Sequence, residues 1–272
     1  MRKLPLLALL LAPLALAAPL RLATTTSVND SGLLDYLLPG FTAETGVRVQ
    51  VIAVGTGQAL KIASRGDADA VLVHAPALEA RFLAEGYGKD HVCVAKNRFL
   101  IVGPPEDPAG VRGAEDAAEA FRRIYRAGAP FVSRGDNSGT HKKELELWQA
   151  TGLDPKGEPW YMESGSGMGA TLTLASEKGA YTLTDRGTFL FMREKVRLAP
   201  LFDRDDPLML NQYGYMRVNE ERFPWVNSEA ARALGAYLVR PDVQERIGAY
   251  LKDRFGESLF EPLYGRCPIP VR

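Results

Sequence analysis

The sequence predicts an α/β fold of two lobes, each a mainly parallel sheet flanked by helices, with two crossover strands forming a hinge. Three observations predict it. Short runs rich in β-branched residues alternate with stretches whose apolar residues recur at helical spacing. Two segments, PPEDPAG after residue 103 and VRLAPLF with its following acidic loop, break that alternation as crossings. Small hydroxyl and glycine residues also gather at strand-to-helix junctions in both halves. Short strands separated by helices pack best as a sheet covered on both faces.

The elements follow in order. LRLATTT (20–26) reads as a strand, and SGLLDYLLPGFTAETG places Leu33, Leu34, Leu37, Leu38 and Phe41 on one helical stripe before Gly46 stops it. VRVQVIAVG (47–55) is a β-branched strand, QALKIASRG a short helix, and ADAVLVH (68–74) a buried strand. HVCVAKNRFLIVG (91–103) runs into the proline-rich crossing, and a helix spans about Glu115 to Ala127. The second lobe then holds PFVSRG (130–135), a helix from about Ser138 to Thr151, WYMESG (160–165), a helix from about Met168 to Lys178, and AYTLTD (180–185). VRLAPLF (196–202) and the loop DRDD cross back to a strand at YGYMRVN (213–219) and to helices near 227–239 and 242–255. The expected division is residues 19–102 with 200–272 as one lobe and 103–199 as the other, with a cleft between them. No internal repeat is visible.

Bulk properties narrow the function. A chain of 272 residues, 46% hydrophobic and 24% charged, can bury substantial cores and does not read as disordered. Its 33 basic and 33 acidic residues create no global field to attract nucleic acid or an anionic membrane, so a charged ligand must be held by local groups. The start, MRKLPLLALLLAPLALAAP, has the basic, apolar and small-residue order of a secretory signal over residues 1–18. Its apolar run from Leu4 to Leu16 is shorter than a bilayer span, which makes an uncleaved anchor the weaker reading. The expected mature protein is a periplasmic or otherwise extracytoplasmic monomer, and no cysteine follows the cleavage point to carry a lipid. Cys93 and Cys267 either pair in an oxidising compartment or stay as two buried thiols. His74, His91 and His141 are scattered, and no group of residues has metal-ligand spacing, so neither a metal centre nor a cofactor is expected.

Four junctions carry the chemistry: TTTS (24–27), GTGQ (55–58), SRGDNSGTH (133–141) and SGSGMG (164–169). In open α/β sheets, ligands sit at the carboxyl ends of strands, where loops lead into helices. Each junction here offers small residues for close backbone approach, hydroxyls, and the free N–H groups of a helix start. That combination holds an anion, because a helix N-terminus carries roughly half a positive charge. Arg134 adds a planar fork of donors suited to an oxyanion. Any one of these stretches alone would pass for ordinary capping and turn chemistry, but four together at strand-to-helix junctions point to an anion. Elsewhere the structural reading prevails. His141 is expected to face solvent, Asp185 and Arg186 to cap and brace a turn, Tyr213 of NQYG to pack at the hinge, and DRDD to be a solvated loop.

LATTTSVNDSGLLDYLLP, VGTGQALKIASRGDADAVLVHAPALEARFLAEGYG, SRGDNSGTHKKELELW, GSGMGATL and AYTLTDRGTF together resemble the periplasmic tungstate-binding component of ABC importers, along essentially the whole mature chain. The resemblance implies a two-lobed receptor that closes over one tungstate or molybdate oxyanion and delivers it to a membrane permease. It implies ligand contacts from Thr25, Thr26 and Ser27, from Thr56, from Arg134, Ser138, Gly139 and Thr140, and from Ser166, Gly167 and Met168. NQYG departs from the family, which is associated with a proline after the asparagine.

The pattern R-x-x-x-S-G-T also looks like the anion turn of phosphate-binding proteins. Phosphate keeps a proton near neutral pH and wants a carboxylate acceptor, for which Asp136 is nearest unless its side chain caps the following helix. A secreted hydrolase is the rival of another class, with Ser138 three residues from His141, yet no G-x-S-x-G elbow or partnered acid supports it. Nucleotide-binding glycine motifs are missing as well.

Overall fold

The computed structural model describes residues 18–270, so the signal expected at the N-terminus falls almost wholly outside the described residues. The chain opens with strand β1 (Leu20–Thr25), which passes directly into a five-residue helix, α1 (Thr26–Asp30). Helix α2 (Leu33–Thr45) follows and ends at Gly46, whose φ of 71° is the left-handed conformation that glycine adopts without strain. Next come β2 (Val49–Val54), α3 (Thr56–Ala63), β3 (Ala70–Val73), α4 (Pro76–Ala84) and β4 (Gly88–Gly103). The middle of the chain holds α5 (Ala117–Ala127), β5 (Phe131–Ser133), α6 (Gly139–Thr151), β6 (Tyr161–Glu163), α7 (Met168–Lys178), β7 (Thr182–Asp185), α8 (Arg186–Met192) and β8 (Ala199–Phe202). The chain returns through β9 (Leu210–Val218), α9 (Ser228–Leu238), α10 (Pro241–Ala249), the single turn α11 (Lys252–Phe255) and β10 (Glu261–Gly265).

The principal sheet has the order β10-β4-β9-β3-β1-β2, with β7 and β8 added along the far half of β4. Pairs β1–β2 and β1–β3 are parallel, as is the separate pair β5–β6. The crossing strands pair antiparallel: β4 with β9, β10, β7 and β8, and β9 with β3. The α/β class thus holds, and the antiparallel pairs arise where β4 and β9 carry the chain between its two halves.

Alternation of side chains along each strand sorts the core onto two faces. Leu20, Leu22, Ala70 and Leu72 point to one side, beneath α2, α9 and α10, with Phe41, Leu234 and Ile247. Ala23, Val71 and Val73 point to the other, beneath α3 and α4, with Ala59 and Phe82. The same alternation governs the end of β4. Phe99 and Ile101 join Phe121, Phe131 and Trp148 on one face, while Leu100 and Val102 join Val132, Met168 and Leu172 on the other.

Several elements escaped the sequence pattern. Helix α4 starts at Pro76 without a capping side chain at Ala75; instead Glu79 reaches back to accept the Ala75 N–H at 2.8 Å. Strand β10 contains Pro262 and pairs irregularly at the sheet edge, where a missing donor is tolerated. DRDD is not a free solvated loop. The Asp203 carboxylate accepts from Arg186 at 2.9 Å, the Arg204 guanidinium donates to the Ala114 carbonyl at 3.1 Å, and Asp206 accepts the N–H of Ala117 at 2.8 Å. These partners lie 17 to 90 residues away, beyond any local pattern.

Cys93 on β4 and Cys267 beyond β10 form a disulfide, which settles the alternative left open by the sequence. It fastens the C-terminal segment to the sheet, and Gln212 reinforces it by donating to the Ile269 carbonyl and accepting the Ile269 N–H. The bridge closes a loop of 174 residues, long enough to restrict the unfolded chain strongly. Replacing both cysteines by serine is expected to cost about 2–4 kcal/mol and to lower the melting temperature by roughly 5–15 °C. A calorimetric scan that finds the two proteins melting together would show that the bridge does not constrain the unfolded state.

Candidate functional site

Polar residues concentrate where the strands end. Thr25 closes β1 and caps α1, its Oγ1 accepting the Val28 N–H at 3.2 Å. Gly55 caps α3 with no side chain, so Thr56 begins that helix with its hydroxyl uncommitted. His74 follows β3, and its ring nitrogens meet Ser27 Oγ at 3.1 Å and Asn211 Oδ1 at 2.9 Å. From the other half, Ser133 closes β5 and Arg134 leads into the turn that Ser138 caps, with Ser138 Oγ accepting the His141 N–H at 3.2 Å.

Gly139 joins the two groups. A Cβ on it would lie 2.8 Å from His74 Cε1 and 3.3 Å from Thr56 Oγ1, so only glycine lets α6 begin this close to α3 and β3. The junction after β6 is tied to the Arg134 turn as well. Ser164 donates its N–H to the Ser133 carbonyl at 2.9 Å and its hydroxyl to the Arg134 carbonyl at 3.2 Å.

Four buried side-chain polar atoms lack a hydrogen-bond partner among the described residues: Thr56 Oγ1, Arg134 Nε, Thr140 Oγ1 and Asn97 Nδ2. Three belong to residues singled out from the sequence, and they come from both sides of the Gly139 contact. The first-turn N–H groups of α3, α6 and α7 add donors that no intrahelical carbonyl can satisfy. Arg134 is 5% exposed and donates from Nη2 to Asp136 Oδ2 at 2.5 Å. Asp136 Oδ1 accepts the Ser138 N–H at 3.1 Å, so each of its oxygens already holds one hydrogen bond.

The remaining candidates differ in kind. Thr25 Oγ1 and Ser27 Oγ lie 3.1 Å apart beside His74, whereas Thr26 is exposed on α1. Ser166 donates its hydroxyl to the Ser164 carbonyl at 3.2 Å, and Gly167 is an exposed cap for α7. The side chain of Met168 is buried with Val132 and Leu172, leaving its backbone N–H as its only polar offering. His141 does not face solvent as expected; it is buried, and its Nδ1 accepts the Asn137 N–H at 3.0 Å. That amide follows a tight turn with Asn137 at φ 58°, and the histidine gives it the acceptor that the backbone cannot.

Sequence reasoning passed over the network behind the site. Asn211 donates to Asn97 Oδ1 and to Tyr213 Oη, both at 2.8 Å, and the Tyr213 ring lies 5.2 Å from that of His74. The available signal was a histidine ending an otherwise apolar strand in an open sheet. Burial drives the His74 pKa down to about 4, so the ring is neutral near neutral pH. Under the Arg134 turn, Glu144 accepts from Tyr161 Oη at 2.6 Å and Trp148 Nε1 at 3.2 Å, and burial raises its pKa to about 7.

Residues 15–242 match the pattern of the PBP superfamily domain. The tungstate-binding protein TupA of Peptoclostridium acidaminophilum is 45% identical over 243 residues, which cover 89% of this chain and 84% of that one. The chain belongs to the TupA family. Two solved structures extend the likeness to the fold of TupA-family proteins. The tungstate ABC transporter structure from Geobacter sulfurreducens is 49% identical with a TM-score of 0.77, covering 85% of this chain and 98% of that one. The tungstate-binding protein TupA from Desulfovibrio alaskensis G20 is 42% identical with a TM-score of 0.80, covering 90% and 99%.

Two outcomes follow from the geometry. Gly139→Ala is expected to force α6 away from His74 and Thr56, giving a larger radius of gyration in small-angle scattering with unchanged secondary structure; an unchanged radius would contradict the close approach. The folded-state pKa of Glu144 lies above its unfolded value. The stability of its neutral form is therefore fully present below about pH 4.5 and is lost as pH rises through about 7. Glu144→Gln keeps an acceptor for Tyr161 and is expected to exceed the parent in stability by roughly 1–3 kcal/mol at pH 8, with the difference vanishing at low pH. Denaturant titrations at the two pH values check this, and equal stability at pH 8 would refute it.

Proposed function

We propose that this chain is a periplasmic solute receptor that captures tungstate between two lobes and presents it to an ABC importer permease. Buried, unpartnered donors at Thr56, Arg134 and Thr140, drawn from both sides of the Gly139 contact, carry this reading. Membership of the TupA family gives the oxyanion its identity and makes the chain a transport receptor rather than an enzyme. Among the described residues, no helix is long and apolar enough to cross a membrane.

The chemistry favours a fully deprotonated dianion. Tungstate and molybdate need only donors near neutral pH, and hydroxyls, helix-terminal amides and one guanidinium provide only donors. Phosphate would bring a proton to a site whose nearest carboxylate, Asp136, is already engaged by Arg134 and Ser138. The proposed contacts are Thr25, Thr26, Ser27 and Thr56 from the first lobe, with Arg134, Ser138, Gly139, Thr140, Ser166, Gly167 and Met168 from the second. Of these, Met168 and the glycines act through their backbone N–H groups. Hydrogen bonds to a charged group contribute about 1.5–3 kcal/mol each, so six or seven can exceed the roughly 12 kcal/mol of a nanomolar complex before closure costs.

Lobes of residues 19–102 with 200–272 and of residues 103–199 would close by rotation at the crossings. The apolar clusters support a hinge there, since they change sides between Ala95 and Phe99 on β4 and between Met209 and Tyr213 around β9. The anion favours the closed state because only that state lets both lobes reach it. A cleaved secretory signal at residues 1–18 and a monomeric mature receptor complete the proposal.

Calorimetric titration of the mature protein with tungstate, molybdate, sulfate and phosphate tests it. Tungstate is expected to bind stoichiometrically, with molybdate ranked beside it and little heat from the other two. Arg134→Ala is expected to weaken tungstate by at least tenfold, about 1.4 kcal/mol, while its melting curve stays cooperative. Unchanged affinity would remove Arg134 from the site, and silence from all four anions would reject the receptor reading.

A further inference from the structure

The hydrogen bonds around His74 fix its tautomer. Both hydrogens of the Asn211 amide are committed, one to Asn97 Oδ1 and one to Tyr213 Oη, so its oxygen faces His74 Nδ1 at 2.9 Å. An oxygen there requires Nδ1 to carry the ring proton. In the neutral ring Nε2 is then a bare lone pair, and Ser27 Oγ, 3.1 Å away, must donate its only hydrogen to it. The Ser27 hydroxyl is thus spent on a histidine at the place where the oxyanion reading needs a donor. A second hydroxyl, Thr25 Oγ1, lies 3.1 Å from Ser27 Oγ and is itself engaged by the Val28 N–H.

We propose that His74 is a proton-linked positioning residue for the oxyanion: as the anion enters, Nε2 takes up one proton from solvent and donates it to Ser27 Oγ, which turns its own hydrogen to the ligand. This rests on the oxyanion reading of the site. The step balances: one proton leaves the buffer and forms an N–H bond, and no other bond is made or broken.

The surroundings support it. The ring is buried, its Cε1 lies against the Gly139 backbone at the meeting of the two halves, and Asn211 is held rigidly by Asn97 and Tyr213. The groups that face it are Tyr213 from β9, Asp185 at the end of β7, Arg134 beyond β5, and Lys142, Lys143 and Glu146 on α6, which share a cavity of about 320 Å³ with it. Asp185 favours the protonated ring and Arg134 opposes it, while burial is the largest effect and keeps the ring neutral. A dianion arriving beside the ring reverses that balance, because an opposite charge in a desolvated site favours the charged form. The folded-state pKa of about 4 therefore rises on binding, and affinity strengthens as pH falls through the raised value.

The test is isothermal titration of tungstate into the full mature protein at pH 7 in buffers of differing ionisation enthalpy, repeated from pH 6 to pH 8. The parent is expected to take up most of one proton per tungstate at pH 6 and much less at pH 8, and to lose at least about fivefold in affinity across that range. His74→Gln, which can still bridge Asn211 and Ser27, is expected to bind with no proton uptake and a flat pH dependence. Glu144→Gln, remote from Ser27, is expected to retain the uptake. Binding without proton uptake by the parent, or uptake that survives in His74→Gln and disappears in Glu144→Gln, overturns the proposal and leaves the receptor reading intact. Absence of tungstate binding by the parent defeats both.

Discussion

A buried hydroxyl or guanidinium nitrogen without a partner has given up its hydration and regained nothing, at a cost of about 1–3 kcal/mol each. Thr56, Arg134 and Thr140 all carry this cost, a large sum for a fold whose net stability is of order 10 kcal/mol. The rest of the architecture makes it tolerable. Two faces of apolar packing on the principal sheet, a second pair of clusters around the end of β4, and a disulfide at the C-terminal segment hold the strand ends in place. Donors held by this framework need little rearrangement when an anion enters.

Each donor depends on a local device. Gly139 allows the start of α6 to approach α3 and β3 closely, since a side chain there would collide with His74. Asp136 orients Arg134 and at the same time satisfies the Ser138 N–H, which neutralises the guanidinium's charge and leaves its Nε free. In the proposed site the positive ends of α3, α6 and α7 would add to the attraction for a dianion. A pocket built from amides and hydroxyls around one ion pair discriminates by the ligand's protonation state as much as by its size.

Much of this was legible in the sequence because the relevant signals are local. β-Branched runs marked the strands around 49–54 and 70–73, Gly46 and Ser138 marked helix ends, and the four small-residue junctions marked turns at the ends of strands. What stayed hidden depends on contacts distant in sequence. His74 ends a strand that the sequence marks as buried, and its hydrogen bond to Asn211, 137 residues later, lies beyond any local pattern. The anchoring of DRDD, the burial of His141 and the carboxyl of Glu144 beneath the turn have the same origin, because periodicity reports a residue's face and not what lies opposite. At Met168 the glycine-rich junction implied a ligand contact; its side chain serves the core, which leaves the backbone N–H for the proposed contact.

Tungsten reports its own position through anomalous scattering. In crystals of the mature protein grown with tungstate, a single tungsten peak is expected between the starts of α3 and α6, with its oxygens within about 2.6–3.2 Å of Thr56 Oγ1, Arg134 Nε and Thr140 Oγ1. A peak elsewhere, with those three atoms bonded to water or to one another, would contradict the claim that they are held unpartnered for the oxyanion.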